Sequence, residues 1–120
     1  MRYVTVDDVT SGERLAERAA VAESFTARFL GLQGRKLLPA GTGLVLIPTS
    51  SIHMFFMRMR IDAVFVDASN RVVRVARRLR PWTIGPVVSR ALYCIELPAG
   101  STNRVQEGDE IRLQTLDLKP

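Results

Sequence analysis

His53 is the only histidine in the chain, set between Ser50, Ser51 and the run Met54, Phe55, Phe56, Met57. Histidine is the residue type suited to acid–base work near neutral pH, which makes His53 a candidate catalytic or binding group. Its structural alternative is an imidazole seated beside the core and hydrogen-bonded to backbone. Asp62 follows nine residues later. On an extended strand an odd spacing sends two side chains to opposite faces, so a His53–Asp62 dyad needs a bend or bulge between them. Cys94 lies between Tyr93 and Ile95, with Glu96 two positions on and therefore on the same face of a strand. A thiol served by His53 as base would be a nucleophile pair. No cation sits beside Cys94 in the sequence to favour its thiolate, and unpaired cysteines are among the most buried residues, so an inert Cys94 is expected. Glu96 poses the sharper question, because an unpaired carboxylate inside an apolar strand is costly. Arg28 and Arg35 are natural partners. A structural arginine–Glu96 clasp is the first reading, and a polar cleft of Arg35, His53, Asp62 and Glu96 is the functional one.

The remaining catalytic signatures are absent. Gly41-Thr42-Gly43 lacks the following Lys-Ser/Thr of a phosphate loop. There is no Gly-x-Ser-x-Gly elbow and no His-Glu-x-x-His pair. Gly108-Asp109 ahead of a β-prone run reads as a turn re-entering a sheet. The carboxylates are scattered, one cysteine makes no internal disulfide, and one cysteine with one histidine makes no usual zinc site. No metal and no cofactor are expected.

Charge points toward binding. Lys and Arg number 17 against 12 Asp and Glu, for a net charge of +5, and only Lys36 and Lys119 are lysines. Arg58, Arg60, Arg71, Arg74, Arg77, Arg78 and Arg80 are opposed between residues 58 and 80 only by Asp62 and Asp67. The guanidinium fork suits carboxylates and phosphates. Tryptophan and arginine are also over-represented at binding hot spots, which singles out Trp82 with Arg77, Arg78 and Arg80. The leading functional reading is a non-enzymatic binding or accessory domain that recognises an anionic or polar ligand or a protein partner through Arg35, His53, Trp82, Arg77, Arg78 and Arg80. A hydrolase-like enzyme with a cleft around His53, Asp62 and Glu96 is the second. A weak nucleic-acid binder using the arginine stripe is the third, since no nucleic-acid-binding motif accompanies the charge.

These side chains need a scaffold. A chain of 120 residues, 47% apolar and 24% charged, suits one globular domain over 1–120. Its apolar runs, such as Gly43 to Ile47, fall far short of the ~20 residues of a membrane span. The first residues lack the apolar stretch of an export signal, and a cytoplasmic home is the expectation. Tyr3 to Val6 is β-prone. Leu15 to Ala22 is ambiguous between helix and strand edge. Ser24 reads as an N-cap before Phe25, Phe29 and Leu32 at helical spacing, with Gly31 or Gly34 ending a short helix. Strands are expected at Leu44 to Ile47, partly over His53 to Ile61, and at Ala63 to Val66. Asp67-Ala68-Ser69-Asn70 is a hairpin turn into Arg71 to Val75. Pro81 and Pro86 bracket an edge or extended loop. Ala91 to Leu97 and Glu110 to Leu116 are further strands, with a single helical turn from Ser101 or Thr102 to Gly108 between them. The fold class is therefore mainly β: a small antiparallel β-sandwich or partly open barrel with one short α-helix in the N-terminal third.

Three blocks of the chain, RFLGLQGRKLLPAGTGLVL from Arg28, SSIHMFFMRMRIDAVFVDASNRVVRV, and ALYCIELPAGSTNRVQEGDEI, occur in order and resemble the domain of unknown function 192 family of bacteria and archaea. The resemblance covers about residues 20–115. It implies a mostly β fold with a short helix near the start, and no established activity. This chain departs from the family where many members carry Trp-Met-Lys-Asn-Thr against His53 to Met57 here, and proline against Arg60.

Overall fold

A computed structural model describes residues 2–24, 37–54 and 57–116. These form nine strands: β1 (Tyr3–Asp8), β2 (Glu13–Ala22), β3 (Thr42–Leu46), β4 (Ser51–His53), β5 (Ile61–Val66), β6 (Val72–Leu79), β7 (Ile84–Val87), β8 (Tyr93–Pro98) and β9 (Ile111–Thr115). Seven make one sheet in the order β6-β5-β8-β3-β2-β1-β9, while β4 and β7 pair separately as a two-stranded ribbon. The ambiguous Leu15–Ala22 segment is strand. Its backbone pairs on both sides, antiparallel with β1 and parallel with β3, and this pairing overrides the helical propensity of its Ala, Glu and Arg content.

Alternation gives the sheet two apolar faces. One face gathers Val4 and Val6, Leu15, Ala19 and Val21, Val45, Val64 and Val66, Val72, Tyr93, Ile95 and Leu97, and Ile111. Every one of the seven strands contributes to this inner cluster. The sheet curls around it until the edge strands meet at one end through an Arg71–Glu110 bridge, where Val72 N donates to Asp109 O at 2.9 Å and Ile111 N to Asn70 O at 2.8 Å. The molecule is a curled half-barrel. The expectation of a sandwich is corrected, since the face that would pack on a second sheet closes on itself. The sheet is mostly antiparallel, with β2 and β3 as its one parallel pair. A parallel pair needs a long crossover, and residues 23–41 supply it. The expected helix over residues 24–34 lies mostly outside the described residues, none of which is helical.

Strands β5 and β8 carry apolar groups on both faces. The outer face, with Ala63, Phe65 and Cys94 at one end and Leu44, Leu46 and Ile61 at the other, is covered by Ile52, Met54, Met57 and Val88. All six residues of β5 are buried, which explains why IDAVFV reads as a continuous run and not as an alternation. At the β5–β6 turn, Asp67 Oδ1 accepts from Ser69 N and Arg71 N at 2.9 and 3.0 Å, and Asn70 takes a left-handed φ of 63°.

The open end of the half-barrel is plugged by residues 99–109. The expected helical turn is reduced to a hydrogen-bonded turn in which Val105 N donates to Thr102 O at 3.0 Å, with Thr102 buried. Asp62, fully buried, accepts from Arg78 N (2.9 Å), Gly100 N (3.0 Å), Thr102 N (3.2 Å) and Thr102 Oγ1 (2.8 Å). Arg77 holds the same loop by donating to the carbonyls of Thr102 (2.9 Å) and Val105 (2.7 Å). Truncation by Asp62→Ala leaves three backbone amides without that acceptor. At roughly 1–3 kcal/mol for a buried unsatisfied group, partly relieved by water, the loss expected in urea denaturation is about 2–4 kcal/mol. A change below about 1 kcal/mol would show that the loop holds itself.

Candidate functional site

The ribbon carries the side chains most conspicuously presented to solvent. Its register sets His53 opposite Ile84 and Ser51 opposite Val87, and cross-strand partners share a face. Ile52 turns the other way and packs against the outer layer of the core. Gly85 lies against it. A Cβ there would sit 2.8 Å from Ile52 Cγ1 and 2.9 Å from its carbonyl oxygen, so only glycine allows the two backbones this approach. Ahead of β7, Trp82 sits in a turn at φ 65°. Its N–H donates to Met54 O at 2.6 Å, and Met54 N donates back to Thr83 O at 2.7 Å. Met54 is fully buried, so the turn is tied to the core while Trp82 is 61% exposed; Ile84 and Val87 are 73% and 75% exposed. Pro86, lacking an N–H, is consistent with a ribbon outside the main sheet.

The sequence singled out Trp82 and His53 but missed Ile84 and Val87. The signal lay in the bracketing prolines, which marked an edge without saying which face its side chains take. The arginines divide. Arg80 is exposed. Arg77 is engaged by the 102–105 carbonyls, and the backbone of Arg78, at φ 53°, serves Asp62. A surface groove of about 460 Å³ lies beside Arg77, lined also by Val75, Asn103, Val105, Gln106 and Glu107. Arg35 lies outside the described residues.

The three groups of the expected hydrolytic cleft do not converge. Asp62 pairs with Leu97, and Ala63 with Glu96, in an uninterrupted β5–β8 register. Leu97 belongs to the inner cluster and Ala63 to the outer layer, so Asp62 and Glu96 leave the sheet on opposite sides. His53 stands on the ribbon with Ile84. Sheet interior, interlayer and ribbon therefore hold one group each.

Glu96 is buried, and its Oε1 has no hydrogen-bond partner among the described residues. Its neighbours in the register are Leu44 and Ala63. Burial pushes its carboxyl up to about 8, so the neutral acid prevails at pH 7 and avoids an unpaired buried charge. Burial, reinforced by the charge of Glu96, also pushes the Cys94 thiol up, which matches an inert cysteine. Arg28 and Arg35, the expected clasp for Glu96, lie outside the described residues. Because the folded value lies above the ordinary 4.5, the native state holds the proton longer than the unfolded chain. Stability from this group is full below about pH 4.5 and is lost as pH rises to about 8. Glu96→Gln removes that titration. The variant is expected to gain about 3–5 kcal/mol relative to the parent between pH 5 and pH 8, at about 1.4 kcal/mol per pH unit. Urea titrations across this range check it, and a pH-independent difference would refute it.

Comparison with known proteins finds relatives along most of the chain. The DUF192 family model, described as Uncharacterized ACR, matches residues 7–113. A UPF0127 protein of Thermococcus sibiricus is 37% identical over 112 residues, covering 85% of this chain and 70% of the relative. Another, from Pyrococcus horikoshii, is 39% identical over 101 residues, covering 77% and 84%. Both relatives are archaeal. A crystal structure of a protein of unknown function from Novosphingobium aromaticivorans shares the fold with a TM-score of 0.79 at 24% identity, covering 92% of this chain and 83% of that one. With the family's pattern running through nearly the whole sheet, the chain belongs to the DUF192 family.

Proposed function

We propose that this chain is a small binding domain that docks a protein segment of mixed acidic and apolar character on the outward face of the β4–β7 ribbon. The observation that carries the reading is the exposure of Trp82, Ile84 and Val87 within six residues, on a ribbon whose opposite face is anchored in the core. Clustered exposed apolar side chains of this kind mark contact surfaces. Arg58, Arg60, Arg80 and Arg90 are exposed in the flanking segments, and the net charge is +5, so an acidic partner is steered toward the protein. A protein segment fits better than a small anion, because small-molecule sites are concave and this face is presented outward. It also fits better than nucleic acid. Single strands stack on successive aromatic rings, whereas here one indole is followed by aliphatic Ile84 and Val87. Of the basic stripe, the Arg77 guanidinium is already engaged by the carbonyls of Thr102 and Val105.

The chain has a single tryptophan, so its fluorescence reports the proposed contact directly. Short peptides combining Asp or Glu with Leu or Phe are expected to blue-shift Trp82 saturably, and less so as salt rises. Lysine-substituted peptides, citrate and single-stranded DNA are expected to leave it unchanged. Ile84→Ser or Val87→Ser should weaken binding about 5- to 30-fold, at 1–2 kcal/mol per contact, with little effect on stability. No response from any acidic peptide, or an equal response to the controls, would overturn the reading.

A further inference from the structure

Strand β6 ends the seven-stranded sheet, and its pairing with β5 slips by one residue between Val66↔Val72 and Phe65↔Arg74. The slip inserts one extra residue, as a β-bulge does. The side chains follow the same count: Val72 and Val75 pack on the inner cluster, Val73 and Ala76 on the outer layer. In a strand, side-chain face and backbone direction alternate together. Val72 turns its backbone away from β5, its N–H donating to Asp109 O at 2.9 Å and its C=O accepting from Gly108 N at 2.7 Å. Val75 shares the face of Val72, and Arg77 lies two residues further on, so both turn their N–H and C=O groups to that same free edge. Among the described residues no main-chain group meets them there. The seam therefore closes at Val72 and stays open beside Val75 and Arg77, where the groove of about 460 Å³ lies. The Arg77 guanidinium holds the carbonyls of Thr102 and Val105, which fixes the far wall of that groove.

We propose that this free edge of β6 takes up an extended acidic peptide as an added strand, with carboxylates facing Arg74 and β-branched side chains facing the groove. Strand addition draws affinity from main-chain hydrogen bonds and selectivity from alternating side chains. Val75 and Arg77 supply the main-chain groups. Arg74 is exposed beside them, on the face opposite the groove, and an opposite charge is the favourable cross-strand neighbour for it. On the groove side, Val75 and Val105 give an apolar floor, and the side-chain amides of Asn103 and Gln106 can donate or accept at the rim. Glu107 also lines the groove, so acids are disfavoured on that side and the partner strand must alternate. A second copy of β6 is a poor occupant, because Arg71, Arg74 and Arg78, all exposed, would be brought against their own copies. The edge shares no residue with the outward face of the ribbon, so it stands whether or not the ribbon binds.

Amide hydrogen exchange on the intact chain tests this, with a capped peptide alternating glutamate with valine and threonine as the probe. Saturating peptide is expected to slow exchange at Val75 and Arg77 about tenfold more than at Val64 and Ile95, whose amides report global stabilisation by binding. The lysine counterpart of the peptide is expected to produce no such slowing. Arg74→Glu should weaken the glutamate peptide about fivefold and let the lysine peptide bind. Two N-methylated forms of the glutamate peptide separate main-chain pairing from side-chain contact without altering the protein. Methylation of the residues whose N–H groups face β6 is expected to abolish binding, and methylation of the alternate set to leave it. No slowing at Val75 and Arg77, equal slowing by the lysine peptide, or equal binding of both methylated forms would overturn the proposal. A Trp82 fluorescence shift without slowing at these amides would overturn it too and place the peptide on the ribbon. Slowing that grows with protein concentration in the absence of peptide would assign the edge to self-association instead.

Discussion

A single buried carboxylate organises the open end of this half-barrel. Asp62 leaves β5 on the inner face and gathers amides from β6 and from the loop after β8, together with the Thr102 hydroxyl. Those donors lie 16 to 40 residues away in sequence. The Arg78 amide is presented by a backbone at positive φ, beside an irregularity in the β5–β6 pairing. Charge-assisted hydrogen bonds to backbone are among the stronger ones available, and here they fix the loop whose Val105 completes the inner core. Arg77 clamps that loop from outside. Asp62 and Arg77 thus look functional in a sequence yet act on architecture.

The second constraint is the double burial of β5 and β8. A central pair buried on both faces needs a cover, and the ribbon with its flanking segments provides one. Covering the sheet this way turns one face of the ribbon toward the core and frees the other. The exposed apolar groups at Ile84 and Val87 are the geometric counterpart of Ile52 and Gly85 packing inward, so core cover and binding face are two sides of one element.

Much of the fold was legible. The Asp67–Asn70 turn, the strands around it and the final β-run follow from turn chemistry and alternation, and a partly open barrel was among the expected architectures. Three features were not. The parallel β2–β3 pairing is a tertiary choice between two segments separated by residues 23–41, and no local signal records it. Ser101 and Thr102 resemble a helix cap because capping and binding a distant carboxylate use the same hydroxyl and amide; only the position of Asp62 decides between them. The candidate site was legible residue by residue but not as a constellation. His53, Asp62 and Glu96 are each suited to chemistry, and strand parity had already set His53 against Asp62. The register of β5 against β8, which separates Asp62 from Glu96, is absent from the sequence.

The first strand lies between β2 and the last strand, β9, and Leu116 N donates to Tyr3 O at 2.9 Å. During synthesis β1 and β2 emerge early, yet β1 keeps an open edge until β9 leaves the ribosome. Pairings between strands this far apart in sequence close slowly, so that edge stays unpaired and open to other chains until β9 has been made. The same adjacency brings the two ends of the described chain side by side, which is the geometry a circular permutant needs. A permutant that joins them and opens the chain at the exposed Asp67–Asn70 turn would make β9 and β1 neighbours in synthesis, turning the longest-range pairing of the sheet into a local one.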